Sequence, residues 1–397
     1  MPTSLIIAAC GALFFIGHLL EAVFRKHRIP DVLPLICLGA LVGPGFGFLE
    51  PRGVTAVEHV FGHLALIVIL FHGGLELRVE TLKAHAGAAF KVAAVLILAN
   101  TLVVACLARV VFHQAWGTGF LLGVILSPLA ATVAIPMLEH LPFTPATASI
   151  LTLESALGDV VAVVGVITLS QVLGGDGSFG SAPFRFAGSL LGAAAVGLGA
   201  AVMWSLILRR IRRQAKTTFA TEALLLVVAG GLEWAGLSGA IGALAFGIGL
   251  RNLDHLPAAL VTKLHLDPQG LSQTEMDVLA EAVFILKVFF FFYLGTLLRF
   301  GRLDSVLAGI LVCLVLLLIR QIFFRKAAPP ASAPWEAGLL GWMVPKGLAS
   351  AVLAGVPAEH GLAGALWIRE VAITAIPVSI LMTALGVWIN RRRIPGP

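Results

Sequence analysis

The sequence predicts an all-α polytopic membrane protein of about 13 transmembrane helices, and three observations support this fold class. Of the 397 residues, 59% are hydrophobic and only 12% are charged, whereas a soluble domain has about 25% charged residues. Apolar runs long enough to cross a bilayer, about 20 residues each, recur along the whole chain. The basic residues behind the net charge of +6 lie in short loops between these runs, which is typical of a membrane protein and not of a nucleic-acid-binding one.

The apolar runs define thirteen predicted spans. The first run has no basic region before it and no small-residue cleavage site, so it is predicted as a helix and not as a signal peptide. The ninth span is short and rich in glycine, and residues 253–281 before the tenth are predicted as an interfacial amphipathic stretch. The spans are residues 4–24, 30–49, 57–77, 86–108, 116–138, 145–172, 184–208, 217–235, 237–251, 282–299, 304–324, 334–356 and 366–390.

The loops between these spans predict an orientation. Loops on one side carry 18 lysines and arginines, loops on the other side carry 6, and three lysines lie within spans. Because basic residues accumulate in cytoplasmic loops, we expect an inner-membrane protein with its N-terminus outside and its C-terminus in the cytoplasm.

Thirteen spans divide into six, one linker and six more, an arrangement that inverts the second half relative to the first. Transporters built from inverted repeats bind their ions near the midplane, on interrupted helices. The sequence therefore predicts a single transmembrane domain over 1–397, without a soluble regulatory domain. Its parts are a first repeat over 1–172, a linker helix over 184–208 and a second repeat over 217–390.

Interrupted helices are predicted at corresponding places, the fifth and twelfth spans. Pro128 lies near the centre of the fifth span, and Pro345, Lys346 and Gly347 lie near the centre of the twelfth. Proline removes a backbone donor and clashes with the carbonyl one turn earlier, and freed carbonyls at membrane depth are tolerated where they line a cavity or coordinate an ion. An ordinary kink would explain one such proline, but two in matching spans favour functional breaks.

Two carboxylates lie within the sixth span, in LTLESALGDVVAVVGVITL. A charged side chain at the bilayer centre costs about 2.5–3.5 kcal/mol on the translocon scale, so an acid there indicates a functional site. Ser155 and Asp159 share one helix face, whereas Glu154 lies about 140° around the helix from Asp159. We therefore predict that Asp159, with Ser155, binds the ion and the proton, and that Glu154 and Lys346 form a structural ion pair. The alternative for Asp159 is a buried carboxylate held by hydrogen bonds.

A single carboxylate at the midplane predicts exchange. A monovalent cation stabilises the ionised form of Asp159, whereas a proton neutralises it, so the two compete for one site. If the protein changes access only when this site is occupied, the competition exchanges cation for proton.

Five stretches resemble the monovalent cation–proton antiporter superfamily, most closely the sodium/proton exchanger type with an NhaP/Kef-like membrane domain. They are LPLICLGALVGPGFG, ILFHGGLEL, LESALGDVVAVV, FFFFYLGTLL and MVPKGLASAVLA. The resemblance implies thirteen spans and a homodimer in which a mobile core carries the ion past a static dimerisation domain. It also implies ion binding by Asp159 with Ser155, a structural pair of Glu154 and Lys346, and no cofactor besides the transported cation, such as Na+.

The chain departs from the family pattern at three places. Gly158 stands where the family often has Asn, Leu129 and Ala130 where it often has Thr-Asp, and Lys346 where it often has Arg. The second aspartate is thus absent, which leaves the backbone carbonyls around Pro128, Leu129 and Ala130 as candidate ligands. One titrating carboxylate favours electroneutral one-for-one exchange.

Two further residues are possible site residues with a second interpretation each. Lys287, near the start of span ten, either extends its ammonium to the interface or pairs with Asp159, as a lysine in this helix does in some branches of the family. His72 in span three either lines a cytoplasmic funnel and senses pH or is a hydrogen-bonded packing residue.

The predicted function is exchange of Na+, Li+ or K+ for H+ across the lipid bilayer by alternating access. One alternative is a K+/H+ efflux antiporter of the same superfamily, which usually carries a cytoplasmic nucleotide-binding domain. Another is a sodium-coupled organic anion symporter, which needs polar groups in a substrate cavity. A transport-inactive sensor with the same fold is a third. The sequence has no nucleophile–base pair, phosphate loop or metal-ligand spacing, and its four cysteines are far apart, so an enzyme is not predicted.

Overall fold

The computed structural model describes residues 3–27, 32–47, 55–130, 133–134, 141, 143–175, 182–211, 219–255, 270–298, 302–326 and 334–390. Within these ranges the chain is almost entirely helical. The helices are α1 (Thr3–His27), α2 (Val32–Ala40, continued by a π turn over Leu41–Gly45), α3 (Thr55–Glu76), α4 (Val79–Val110), α5 (Trp116–Leu126), α6 (Pro145–Leu173), α7 (Ala182–Ile211), α8 (Ala220–Trp234), α9 (Gly239–Arg251), α10 (Gln273–Thr296), α11 (Leu303–Lys326), α12 (Pro334–Leu340), α13 (Leu348–Leu353), α14 (Val356–Glu359) and α15 (Ala365–Asn390).

Every predicted span overlaps one or more of these helices. By length and composition alone, six helices in the described residues are apolar and long enough to cross a membrane; they lie within α4, α6, α7, α10, α11 and α15. The predicted class, an all-α polytopic membrane protein, is confirmed. The division into two inverted repeats remains a prediction.

The tenth span begins earlier than predicted. Ser272 caps α10: its hydroxyl accepts a hydrogen bond from the Glu275 amide at 3.4 Å, and the Glu275 carboxylate accepts one from the Ser272 amide at 2.7 Å. This reciprocal box starts the helix among polar residues, so a search for apolar runs places the start nine residues too late. Of the expected interfacial stretch 253–281, residues 253–255 form a 3₁₀ turn and 256–269 lie outside the described residues.

Glycines allow close packing of α9 against its neighbours. A Cβ atom on Gly247 would overlap the Phe71 carbonyl of α3, and one on Gly74 of α3 would overlap the Leu244 carbonyl of α9. Membrane helices associate closely through such small residues. The glycine-rich ninth span is therefore a packing helix between α3 and α7.

Both predicted helix breaks are present. α5 ends at Leu126 and residues 127–130 are not helical, and α12 ends at Leu340 with residues 341–347 not helical before α13. The breaks contact each other, because the Ala130 amide donates to the Pro345 carbonyl at 2.9 Å. α15 holds the second break in place: Ser379 accepts from the Lys346 amide at 2.9 Å and Thr383 from the Val344 amide at 3.2 Å. These hydroxyls satisfy backbone groups that the break frees at membrane depth.

Candidate ion-binding site

The central part of α6 passes beside the first helix break. The Ser155 hydroxyl donates to the Leu129 carbonyl at 2.6 Å. One turn further on, a Cβ atom on Gly158 would lie 3.2 Å from Cα and 3.3 Å from Cβ of Pro128. The break is thus seated directly on α6, with Asp159 next to the contact.

This contact explains why glycine stands where the family often has asparagine. A Cβ at 3.2–3.3 Å from Pro128 is tighter than ordinary van der Waals contact, and the atoms that it meets include backbone. An asparagine at position 158 would push the break away from α6. Gly158 therefore allows the close contact between α6 and the first break.

Asp159 is buried and faces a small cavity at the crossing of the two breaks. The volume of the cavity is about 20 Å³, room for about one water-sized group, and Asp159, Pro128, Ala130 and Gly347 contribute to its wall. Oδ1 of Asp159 is fully buried and has no hydrogen-bond partner within the described residues. Nearly all buried polar atoms are hydrogen-bonded, so this unpartnered oxygen is an exception that leaves a ligand position at Asp159 open.

Lys346 lies at the same crossing, from the second break. Its ammonium donates to the carbonyls of Pro128 at 2.8 Å and Ser127 at 3.3 Å, just beyond the C-terminus of α5. A helix C-terminus carries a partial negative charge that attracts cations. The side chain is 3% exposed, and its charge interacts with that of Asp159.

Glu154 pairs with Arg320 of α11, and the predicted pair with Lys346 is wrong. Both carboxylate oxygens accept from the guanidinium, Oε1 from Nη1 at 2.5 Å and Oε2 from Nη2 at 3.0 Å, and Nε of Arg320 donates to the Leu340 carbonyl. The helical geometry correctly separates Glu154 from Asp159. The partner differs because the planar guanidinium matches a carboxylate through two parallel hydrogen bonds, whereas Lys346 extends towards the first break.

Arg320 is not among the site residues that were predicted from the sequence. Arg320 is one of the 18 basic residues assigned above to the loops on the cytoplasmic side, although it lies within the apolar run LVLLLIRQIFF. Its side chain is buried. The sequence contains a signal that could have identified Arg320, because an arginine inside a predicted span needs a partner as much as an acid does.

Of the three backbone candidates, Pro128 and Ala130 line the Asp159 cavity, and Leu129 lies between them. Carbonyls of Pro128 and Leu129 already accept hydrogen bonds, from Lys346 and Ser155 respectively. Each carbonyl oxygen has a second lone pair, so these contacts do not exclude an ion. Ala130 lines the cavity and donates its amide to the second break.

Lys287 and His72, the two further residues considered as possible site residues, do not line the Asp159 cavity. The Lys287 ammonium is 5.6 Å from the centre of the Phe284 ring, and its suggested pairing with Asp159 stays a prediction. His72 is half-buried, and its Nδ1 lies 3.6 Å from Oε1 of Glu76, one turn along α3. A role for His72 in pH sensing stays a prediction.

A second, larger cavity begins close to the first. Its volume is about 320 Å³, and its wall includes the C-terminal part of α6, the ends of α8 and α14, and the charged side chains of Glu233 and Glu359. Leu66 of α3 lines both cavities. Leu66 is therefore a common wall residue of the larger cavity and of the cavity that Asp159 faces.

Together, the crossed helix breaks and the unpartnered, membrane-buried carboxylate define a multi-pass transporter of small cations. The family model for the transmembrane part of the sodium/hydrogen exchanger matches residues 11–391. The chain belongs to the sodium/hydrogen exchanger family and is a cation/proton antiporter, not an enzyme. The family needs no cofactor, because the transported cation is its substrate.

Curated relatives and solved structures agree with this assignment. The K(+)/H(+) antiporter NhaP2 of Shewanella sp. (strain MR-4) is 25% identical over 401 residues, covering 96% of this chain and 67% of the relative. Na(+)/H(+) antiporter 1 of Methanocaldococcus jannaschii is 24% identical over 183 residues, covering 46% of this chain and 42% of the relative. The structure of the sodium proton antiporter MjNhaP1 from the same organism at pH 8 matches with a TM-score of 0.77 at 19% identity, covering 100% of both chains.

Proposed function

We propose that the chain exchanges one monovalent alkali cation for one proton at Asp159 by alternating access. The observation that supports this most directly is the buried, unpartnered Oδ1 of Asp159 in a cavity between two helix breaks. A cation would take this oxygen as a ligand, and a proton would neutralise the same group, so only one of them binds at a time.

The charges around the cavity favour a single exchanging carboxylate. Glu154 has both oxygens bound to Arg320 and is not available to an ion. Position 130 is alanine, so the first break adds no acid to the cavity. One free carboxylate supports one-for-one exchange.

Ser155 and the first break would complete the ion site. The Ser155 hydroxyl uses its proton to bind the Leu129 carbonyl, which leaves its oxygen lone pairs for a cation. Oxygen atoms of carboxylate, hydroxyl and carbonyl groups together suit a hard monovalent cation. We propose Asp159, Ser155 and the carbonyls near Pro128, Leu129 and Ala130 as its ligands.

The transported ion is Na+, Li+ or K+ in this proposal. A K+/H+ antiporter is the second candidate, because the relative matched over nearly the whole chain is named for K+. A sodium-coupled symporter of organic anions is less well supported, because the walls of the Asp159 cavity are mainly apolar.

We also propose an inner-membrane homodimer with the N-terminus outside and the C-terminus in the cytoplasm. The loop charges and the family resemblance support this orientation and assembly. In this orientation the larger cavity, with Glu233 and Glu359, opens towards the outside. Its acidic residues would attract cations to the entrance.

The experiment uses purified protein in liposomes with an internal pH dye and an imposed proton gradient. Na+, Li+, K+ or choline is added in turn. We expect at least one alkali cation, but not choline, to dissipate the gradient, and Asp159→Asn to abolish this. Activity of the Asn variant at the wild-type level would refute the role of Asp159, and no response to any cation would refute the transport function.

A further inference from the structure

We propose that Glu336, a buried acid in the first turn of α12, is a positioning residue for the ion site. Its carboxylate holds the N-terminus of α6 to α12 and thereby fixes the second helix break beside the Asp159 cavity. This inference rests on the proposed function, and it adds a residue that acts on cation affinity from outside the cavity.

Glu336 binds the N-terminus of α6 with both carboxylate oxygens. Oε1 accepts a hydrogen bond from the Thr144 amide at 2.6 Å, and Oε2 accepts one from the Thr147 hydroxyl at 2.7 Å. Glu336 is 0% exposed and Thr147 is 1% exposed. The partial positive charge of a helix N-terminus stabilises a carboxylate, and hydrogen bonds to an ionised group are strong. This contact, the Glu336 tie, therefore joins α6 to α12 out of reach of water.

The Glu336 tie is not needed to cap α6. Thr144 is the N-cap residue of α6, and its own hydroxyl accepts from the Thr147 amide at 3.4 Å. Glu275 is an example of a purely local acid, because its carboxylate accepts from the amide and the hydroxyl of Ser272 in the cap of the same helix, α10. Glu336 makes hydrogen bonds of the same kind to another helix. Its main effect is therefore on where α12 lies relative to α6.

A second contact fixes the other end of α12. Nε of Arg320 donates to the Leu340 carbonyl at 2.9 Å, and the same guanidinium binds both oxygens of Glu154 on α6. Because α12 runs over Pro334–Leu340, it is held to α6 near both of its ends. While both contacts are intact, α12 cannot slide along α6.

The position of α12 determines where the second break meets the ion site. Beyond Leu340 the chain enters this break, and Gly347 lines the Asp159 cavity. The opposite partner is α6, which carries Asp159 and Ser155. The cavity has a volume of only about 20 Å³, so a small displacement of the break changes the space that is left for an ion. Loss of the Glu336 tie is therefore expected to weaken cation binding although no ligand is removed.

The test measures two midpoints at one fixed pH: the alkali-cation concentration for half-maximal transport in liposomes, and that for half-maximal thermal stabilisation of the purified protein in detergent. Glu336→Ala removes the tie. Glu336→Gln keeps an oxygen for the Thr144 amide and an N–H group for the Thr147 hydroxyl, and Thr147→Val removes that hydroxyl with little change in shape. Glu275→Ala is the matched control, because it removes a buried carboxylate that caps a helix locally.

We expect Glu336→Ala to raise both midpoints about tenfold, which is the lower end of the range for residues that orient the ligands of a metal ion. Glu336→Gln and Thr147→Val should raise them by a smaller factor. Glu275→Ala should lower the unfolding temperature and leave both midpoints at the wild-type value. If Glu336→Ala also lowers only the unfolding temperature, its role is structural and the inference is overturned.

A folding defect does not prevent the test. If Glu336→Ala does not fold, Thr147→Val is read instead, and wild-type midpoints in that variant overturn the inference. Cation stabilisation of the wild type without transport refutes the proposed function alone, because the midpoints in detergent still test Glu336. No stabilisation of the wild type by any alkali cation refutes both.

Discussion

Two buried acids, Glu154 and Asp159, lie five residues apart on α6, and their surroundings differ. Glu154 has both oxygens bound to Arg320, whose Nε is bound to a further carbonyl, so every group of this pair is satisfied. Asp159 keeps one buried oxygen without a partner among the described residues, and the ammonium of Lys346 is bound to backbone carbonyls. Glu154 and Arg320 form a complete pair, one in which both carboxylate oxygens are bound, and such a pair supports the fold. An acid with an unbound oxygen leaves room for an ion.

The largest expected effect is on the complete pair. In Glu154→Gln the buried guanidinium of Arg320 loses its counter-charge, and breaking a buried pair in this way costs about 3–5 kcal/mol. We expect a strong fall in the thermal unfolding temperature in detergent. Asp159→Asn, by contrast, should unfold within a few degrees of wild type.

A double variant controls for this effect. Glu154→Gln with Arg320→Gln removes both charges and should recover much of the lost stability, because no buried charge is left uncompensated. If Glu154→Gln alone unfolds like wild type, the pair is not structural and the contrast between the two sites fails.

The next largest effect is expected where α6 contacts the first break. Gly158→Asn inserts a side chain against Pro128, and overpacking of this kind costs about 1–3 kcal/mol. The displaced break should also lower the transport rate. Gly199→Ala on α7, where a Cβ atom meets nothing within 4 Å, is the matched control and should be neutral or slightly stabilising. Unchanged transport in Gly158→Asn would contradict the seating of the break on α6.

The smallest effect is expected for Ser155→Ala. This variant removes one hydrogen bond to the Leu129 carbonyl, worth about 1 kcal/mol, and one candidate ion ligand. We expect a several-fold rise in the cation concentration for half-maximal transport. Thr152→Ala, which removes a hydroxyl bonded to the Ala148 carbonyl within α6, should leave that concentration unchanged. Equal behaviour of the two variants would remove Ser155 from the site.

The fold could be predicted from the sequence because a bilayer restricts the possibilities. Spans follow from apolar length, and the two breaks follow from Pro128 and Pro345, since proline cannot continue the hydrogen bonding of a helix. The start of α10 could not be found in this way, because a capping box among polar residues begins the helix.

The sequence predicted the two acids of the site, Glu154 and Asp159, but not that Glu154 binds Arg320. Periodicity places Glu154 and Asp159 on different faces of α6, and in the structure Glu154 binds Arg320 whereas Asp159 faces the cavity between the breaks. Which cation meets which acid depends on how α11 and the second break pack against α6, and one sequence does not contain that information. Similarly, the contact between Gly158 and Pro128 joins residues far apart in the sequence. From the sequence alone, Gly158 could be identified only as a departure from the family pattern.

The most direct test of the account counts the protons released when an alkali cation is added to purified protein in weakly buffered detergent solution. The account predicts about one proton released for each cation bound by wild type, and neither cation binding nor proton release by Asp159→Asn. An Asn variant that folds, binds the cation at the wild-type midpoint and still releases protons would contradict the central claim that cation and proton compete at Asp159.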